Sequence, residues 1–189
     1  MNKLLLVLAV VVLQATIIST AAVSDGGVFY IRPKGNPGQV LGIKDASTAV
    51  GADLVAQPQQ NSNFQRFRLH QAHAADTYYI EIVGDGLYVS NFVSPPRQAG
   101  FNPDAFYQEY QLIPAPGGYY MIRPVENLTS VMTLSGDGTS LSWQPRTGAD
   151  NQLFFFCSSS VIPSNGTVGR TALKAARVSE TYEGIDLRS

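Results

Sequence analysis

The chain has 189 residues, a formal net charge of −1 and only 14% charged side chains, against about 25% in ordinary soluble domains. Without a basic cluster it lacks the electrostatic footprint of a nucleic-acid binder, and its surface has to rely on Asn, Gln, Ser, Thr and Gly, which suit neutral polar ligands. Cys157 is the single cysteine, so no intramolecular disulfide can form and stability has to come from the core.

Residues 1–22 open with Met1-Asn2-Lys3, continue with an apolar run from Leu4 to Leu13, and end in Ser19-Thr20-Ala21-Ala22. A charged start, a short apolar stretch and a small-residue exit make a secretory signal peptide. The run ends at Gln14, too soon to cross about 30 Å of hydrocarbon. A secreted, extracellular protein with no membrane span after signal removal is expected. The sequons at Asn127 and Asn165 fit that route as candidate glycosylation sites.

From about residue 27 one pattern occurs three times. It starts on an aromatic strand: Phe29-Tyr30-Ile31-Arg32, Tyr78-Tyr79-Ile80-Glu81, and Tyr119-Tyr120-Met121-Ile122-Arg123. It continues on a short apolar strand: Val40-Leu41-Gly42-Ile43, Leu87-Tyr88-Val89, and Val131-Met132-Thr133-Leu134. It closes on Gln-x-aromatic: Gln65 and Phe67, Gln108 and Tyr110, Gln152 and Phe154, with the glutamines 43 and 44 residues apart. Three landmarks in one order at one period predict three structural repeats, at about 27–70, 77–113 and 118–157.

Each repeat is rich in β-branched and aromatic residues, alternates with period two and is broken by Gly, Asn, Asp and Pro, which predicts short strands and turns. Gly84-Asp85-Gly86 and Gly136-Asp137-Gly138 supply turn residues. Four strands per repeat would give about twelve, closing into a barrel with few free edges. The expected common core is Ile31, Leu41, Phe67, Ile80, Leu87, Tyr110, Ile122, Leu134 and Phe154.

Between the first two repeats, His70 and His73 read as loop residues, not metal ligands, because a zinc site needs three or four suitable groups. In the second repeat, Ser94-Pro95-Pro96-Arg97-Gln98 is a proline-stiffened loop, the basis of an alternative function as a protease inhibitor that presents Arg97. Residues 158–189 read as a linker and tail, with a short amphipathic segment from Thr171 to Glu180 that is marginal as an independent helix. No nucleophile elbow or phosphate loop occurs. Neither catalysis nor a cofactor is expected.

The triple Gln-x-aromatic resembles the Gln-x-Trp motif of ricin-B-type β-trefoil lectins. The resemblance spans residues 27–157 and is closest in the third repeat, from Gly136-Asp137-Gly138-Thr139 through Trp143 to Asn151-Gln152-Leu153-Phe154. It implies an all-β trefoil, structural roles for the motif residues, and binding of glycans or glycoproteins. Sugar binding in that family resembles a clamp of an Asp on the second strand, a stacking aromatic ring and an Asn before the motif Gln. The chain departs from it, placing Gly42, Tyr88 and Thr133 at the Asp position. Only the third repeat offers both a ring, Trp143, and an amide, Asn151, with Thr133 or Asp137 in place of the carboxylate. Those four residues are the candidate sugar site.

Overall fold

The computed structural model describes residues 23–104 and 106–159; the expected signal peptide, Asn165 and nearly all of the expected tail lie outside them. The first strands are β1 (Val28–Pro33), β2 (Gln39–Ile43), β3 (Leu54–Pro58) and β4 (Phe67–Gln71). They are followed by β5 (Thr77–Ile82), β6 (Tyr88–Ser90), β7 (Arg97–Ala99) and β8 (Glu109–Ala115), then by β9 (Tyr119–Pro124), β10 (Ser130–Leu134), β11 (Leu141–Pro145) and β12 (Phe154–Ser158). Between the strands the described helical segments are single turns of three residues. Those before β4, β8 and β12 each end on a motif glutamine.

Six strands close a barrel. The antiparallel ladder runs β4-β1-β12-β9-β8-β5, and β4 pairs with β5 as well as β1, so the ring leaves no open edge. The other six strands form the hairpins β2–β3, β6–β7 and β10–β11. These are joined to one another by the backbone bonds Leu54 N to Pro96 O, 2.8 Å, and Ala56 N to Thr139 O, 2.8 Å. A closed barrel capped by three hairpins is the β-trefoil.

The repeats superimpose hydrogen bond by hydrogen bond. Lys34 N, Val83 N and Val125 N donate to the carbonyls of Leu153, Arg66 and Glu109, the middle residues of the three Gln-x-aromatic motifs. Phe67, Tyr110 and Phe154, the motif aromatics, are fully buried together with Ile31, Leu41, Ile80, Ile122 and Leu134. Burying each such side chain contributes about 1.5–3 kcal/mol. Leu87 differs from expectation. It lies just before β6 and is only partly buried against this core.

The motif glutamines are buried because each satisfies backbone groups that the sheet leaves unpaired. Gln65 donates to Pro58 O at 2.8 Å and accepts from Gln60 N at 2.7 Å. Gln108 does the same with Gly100 O and Asn102 N, and Gln152 with Pro145 O and Thr147 N. Each amide thus ties the exit of a hairpin to the turn that re-enters the barrel.

Candidate functional site

In the third repeat, Trp143 is opposite Met132, which is buried, and shares a strand face with buried Leu141. Its ring lies nearly parallel to that of Tyr110, 16° between planes and 5.9 Å between centroids. Its indole Nε1 is buried with no hydrogen-bond partner among the described residues. The ring expected to stack on a sugar is already stacked on Tyr110, partly buried at the edge of the core.

The neighbouring polar groups are similarly engaged. The Thr133 hydroxyl donates to Val131 O and accepts from Gln152 Nε2 at 3.1 Å. Asn151 Nδ2 donates to Leu134 O at 3.1 Å. Asp137 accepts from the Ser140 hydroxyl and from the Ser140 and Thr139 amides. These bonds, led by that of the Ser140 hydroxyl, hold its carboxyl down at about 2, and Gly138 beside it has the positive φ of 73° that the turn requires. Asp137 acts as a turn cap.

In the second repeat the clamp position falls on a different residue from the one expected. Strand pairing sets Leu41, Val89 and Met132 opposite Ala56, Gln98 and Trp143. The residue equivalent to Gly42 and Thr133 is therefore Ser90, not Tyr88. At Gly42 a Cβ would lie 2.8 Å from Cγ of the fully buried Gln65 and 3.2 Å from Phe64 O, so the first repeat has no room there for a carboxylate.

Arg97 is anchored. It lies in β7 opposite Ser90, and its Nε donates to Asp53 Oδ1 at 2.8 Å, while Pro96 O accepts from Leu54 N. That tether removes the free projection an inhibitor loop needs. Asn127 is exposed on the turn before β10, where its Oδ1 accepts from the Thr129 hydroxyl at 3.0 Å.

The second repeat assembles a ring cluster that the sequence did not single out. Tyr79 on β5, Tyr88 on β6 and Phe101 after β7 meet on the outer barrel wall. Phe101 lies 4.6 Å from Tyr88 and stands edge-on to Tyr79 at 5.1 Å. His73 touches Tyr79 and Phe106 at 6.2 and 6.4 Å, and His70 lies 5.9 Å from Tyr88. His70 is not in a loop but in β4, bonded to Glu81, whose carboxylate also receives Arg68 at 3.0 Å. Its strand neighbours made it legible only as part of an unbroken β4. No cluster of three metal-ligating side chains occurs among the described residues.

Glu109 is the buried acid of this cluster, 2% exposed. Burial alone would raise its carboxyl, but bonds from the Thr77 hydroxyl at 2.6 Å and from the His73 ring and backbone, with the His73 charge, outweigh it and hold it below 4.5. A lowered folded-state value gives stabilisation that is complete above the unfolded value and lost as the pH falls through the folded one. Urea midpoints should therefore drop in wild type below about pH 4.5. Glu109→Gln should flatten that acid limb, and an unchanged limb would show that Glu109 does not carry it.

No protein-family model and no curated protein sequence matches the chain. Solved structures match it over the described fold. A designed three-fold symmetric protein, ThreeFoil, aligns with a TM-score of 0.64 at 16% identity, over 70% of this chain and 99% of its own. The C-half of an earthworm R-type lectin, in complex with GalNAc, aligns at 0.56 and 16%, over 70% and 99%. The Polyporus squamosus lectin, bound to a sialylated trisaccharide, aligns at 0.60 and 15%, over 72% of this chain and 50% of its own. The structural neighbours thus include β-trefoil lectins, and the chain shares their fold.

Proposed function

We propose that this is a secreted carbohydrate-binding protein that recognises glycans or glycoproteins and carries out no catalysis. The observation that supports the reading is the lectin-like β-trefoil itself, a fold seen with GalNAc in the earthworm lectin and with a sialylated glycan in the fungal one. The chain's chemistry agrees with it. Only 14% of its residues are charged, so its polar surface is mostly amide and hydroxyl, groups that exchange hydrogen bonds with sugar hydroxyls without desolvating ions.

The test is a glycan array probed with the secreted protein. Dose-dependent capture by a defined set of glycans, competed by the free sugar, is the expected result. No capture at any glycan, from material shown to be folded, overturns the reading. The same preparation examines its route. Its intact mass should begin close to residue 23 and carry a glycan increment that Asn127→Gln reduces. A mass still including Met1 contradicts secretion by signal cleavage.

A further inference from the structure

We infer that the sugar-binding face is the ring cluster of the second repeat, and that its ligand is an uncharged glycan; this rests on the carbohydrate-binding reading above. Of the six exposed large apolar side chains among the described residues, four, Phe92, Val93, Phe101 and Phe106, belong to this repeat. Phe101 is 48% and Phe106 60% exposed. Clustered exposed rings mark a surface that meets a partner.

Comparison of the three repeats shows that this exposure is not demanded by the fold. The places of Tyr79, Tyr88, Phe101 and Glu109 are taken in the first repeat by Tyr30, Val40, Gln59 and Arg66. There the Arg66 guanidinium lies 5.7 Å over the Tyr30 ring and donates to its hydroxyl, leaving Tyr30 2% exposed. In the third repeat Met121, Val131 and Leu153 close into a buried aliphatic cluster. Only in the second repeat do two of these positions, those of Tyr88 and Phe101, carry rings that are not buried.

The polar groups around the rings select among partners. His73 stands at the rim with its side chain 64% exposed, and the Tyr88 hydroxyl has no hydrogen-bond partner among the described residues. A pyranose offers what this face lacks: an apolar C–H surface for the ring of Phe101 and hydroxyls for the rim. Like any phenol the Tyr88 hydroxyl is a donor at neutral pH, and burial and the nearby Glu81 push its pKa further up against the opposing effect of Arg68. Glu81, Glu109 and Asp104 face Arg68 and the two histidines His70 and His73, so with the histidines neutral the carboxylates outnumber the one cation and the face has a negative formal charge. A sialic or uronic acid carboxylate, or an anionic lipid surface, would be repelled.

The experiment measures the affinity of the full-length secreted protein for neutral oligosaccharides ending in galactose, glucose, GlcNAc or GalNAc, and for sialylated counterparts. Phe101→Ala, Phe106→Ala and Tyr88→Phe are titrated beside wild type, with melting temperatures recorded for each. We expect neutral glycans to be preferred and both alanine variants to bind about tenfold more weakly at nearly unchanged melting temperature. Tyr88→Phe should lose a smaller factor, since only one hydroxyl is removed. Glycan binding that survives both alanine variants sinks the location and leaves the lectin reading standing. Preference for sialylated glycans sinks the ligand class. Failure to bind any glycan, with or without capture by phosphatidylcholine or phosphatidylserine vesicles, sinks both.

Discussion

Trp143→Ala is expected to destabilise the trefoil by about 3 kcal/mol, the low end for removing a core tryptophan, and to leave the glycan affinity of the folded protein unchanged. The low end applies because the ring is only partly buried at the edge of the core. Its loss removes the partner stacked on Tyr110 and opens a cavity between the β10–β11 hairpin and the barrel. Tyr110→Phe is the matching control. The Tyr110 hydroxyl is buried without a partner among the described residues, and burial, with the charge of Glu126, pushes its pKa well above 10.0. Removing that hydroxyl keeps the ring stack and relieves an unsatisfied group, so stability should stay level or rise by up to about 1 kcal/mol. Phe67 and Phe154 show that the equivalent sites accept phenylalanine. Urea denaturation and glycan titration of both variants decide the matter. A Trp143→Ala protein of wild-type stability that no longer binds glycan would return the stacking plate to the third repeat.

The trefoil was legible in the sequence because its landmarks are residues with one structural task repeated three times. Each motif glutamine satisfies backbone groups across a hairpin exit, and each motif aromatic fills the barrel, so neither can drift without cost. The orientation of Trp143 was not legible. Side chains alternate faces along a strand, so an error of one residue in strand register reverses inside and outside. The loop between Trp143 and Gln152 hides that register. The equivalent of Thr133 was hidden for another reason: Ser90 lies two residues beyond Tyr88 on the same strand face, so alternation cannot tell the two apart, and only the pairing of Val89 with Gln98 fixes the place.

The ring cluster was hidden for a different reason. Its members come from β4 and the turn after it, from β5, from β6 and from the segment between β7 and β8, and barrel closure brings them together. No single stretch carries the pattern. One signal was available: Tyr88 and Phe101 stand where the first repeat has Val40 and Gln59. An aromatic excess confined to one copy of a repeat has no explanation in the shared core.

Gln152→Leu should destabilise the protein by about 3–5 kcal/mol, more than the equivalent substitutions of Gln65 or Gln108. Leucine is close to glutamine in size, so the loss is almost purely one of hydrogen bonds. Gln152 is 2% exposed and its amide donates to Pro145 O at 2.8 Å and to the Thr133 hydroxyl at 3.1 Å. Its carbonyl accepts from Thr147 N at 2.7 Å, from the Thr147 hydroxyl and from Gly148 N at 3.0 Å. Gln65 and Gln108 each satisfy two backbone groups. Each buried polar group left without a partner costs about 1–3 kcal/mol, and those near the surface recover part of that from water. The order of stabilities therefore follows the number of partners stranded. Chemical denaturation of the three leucine variants, with the slope against urea held constant, should place Gln152→Leu lowest. Three equal losses would mean that the two bonds common to all repeats carry the whole effect and that the additional contacts of Gln152 add nothing.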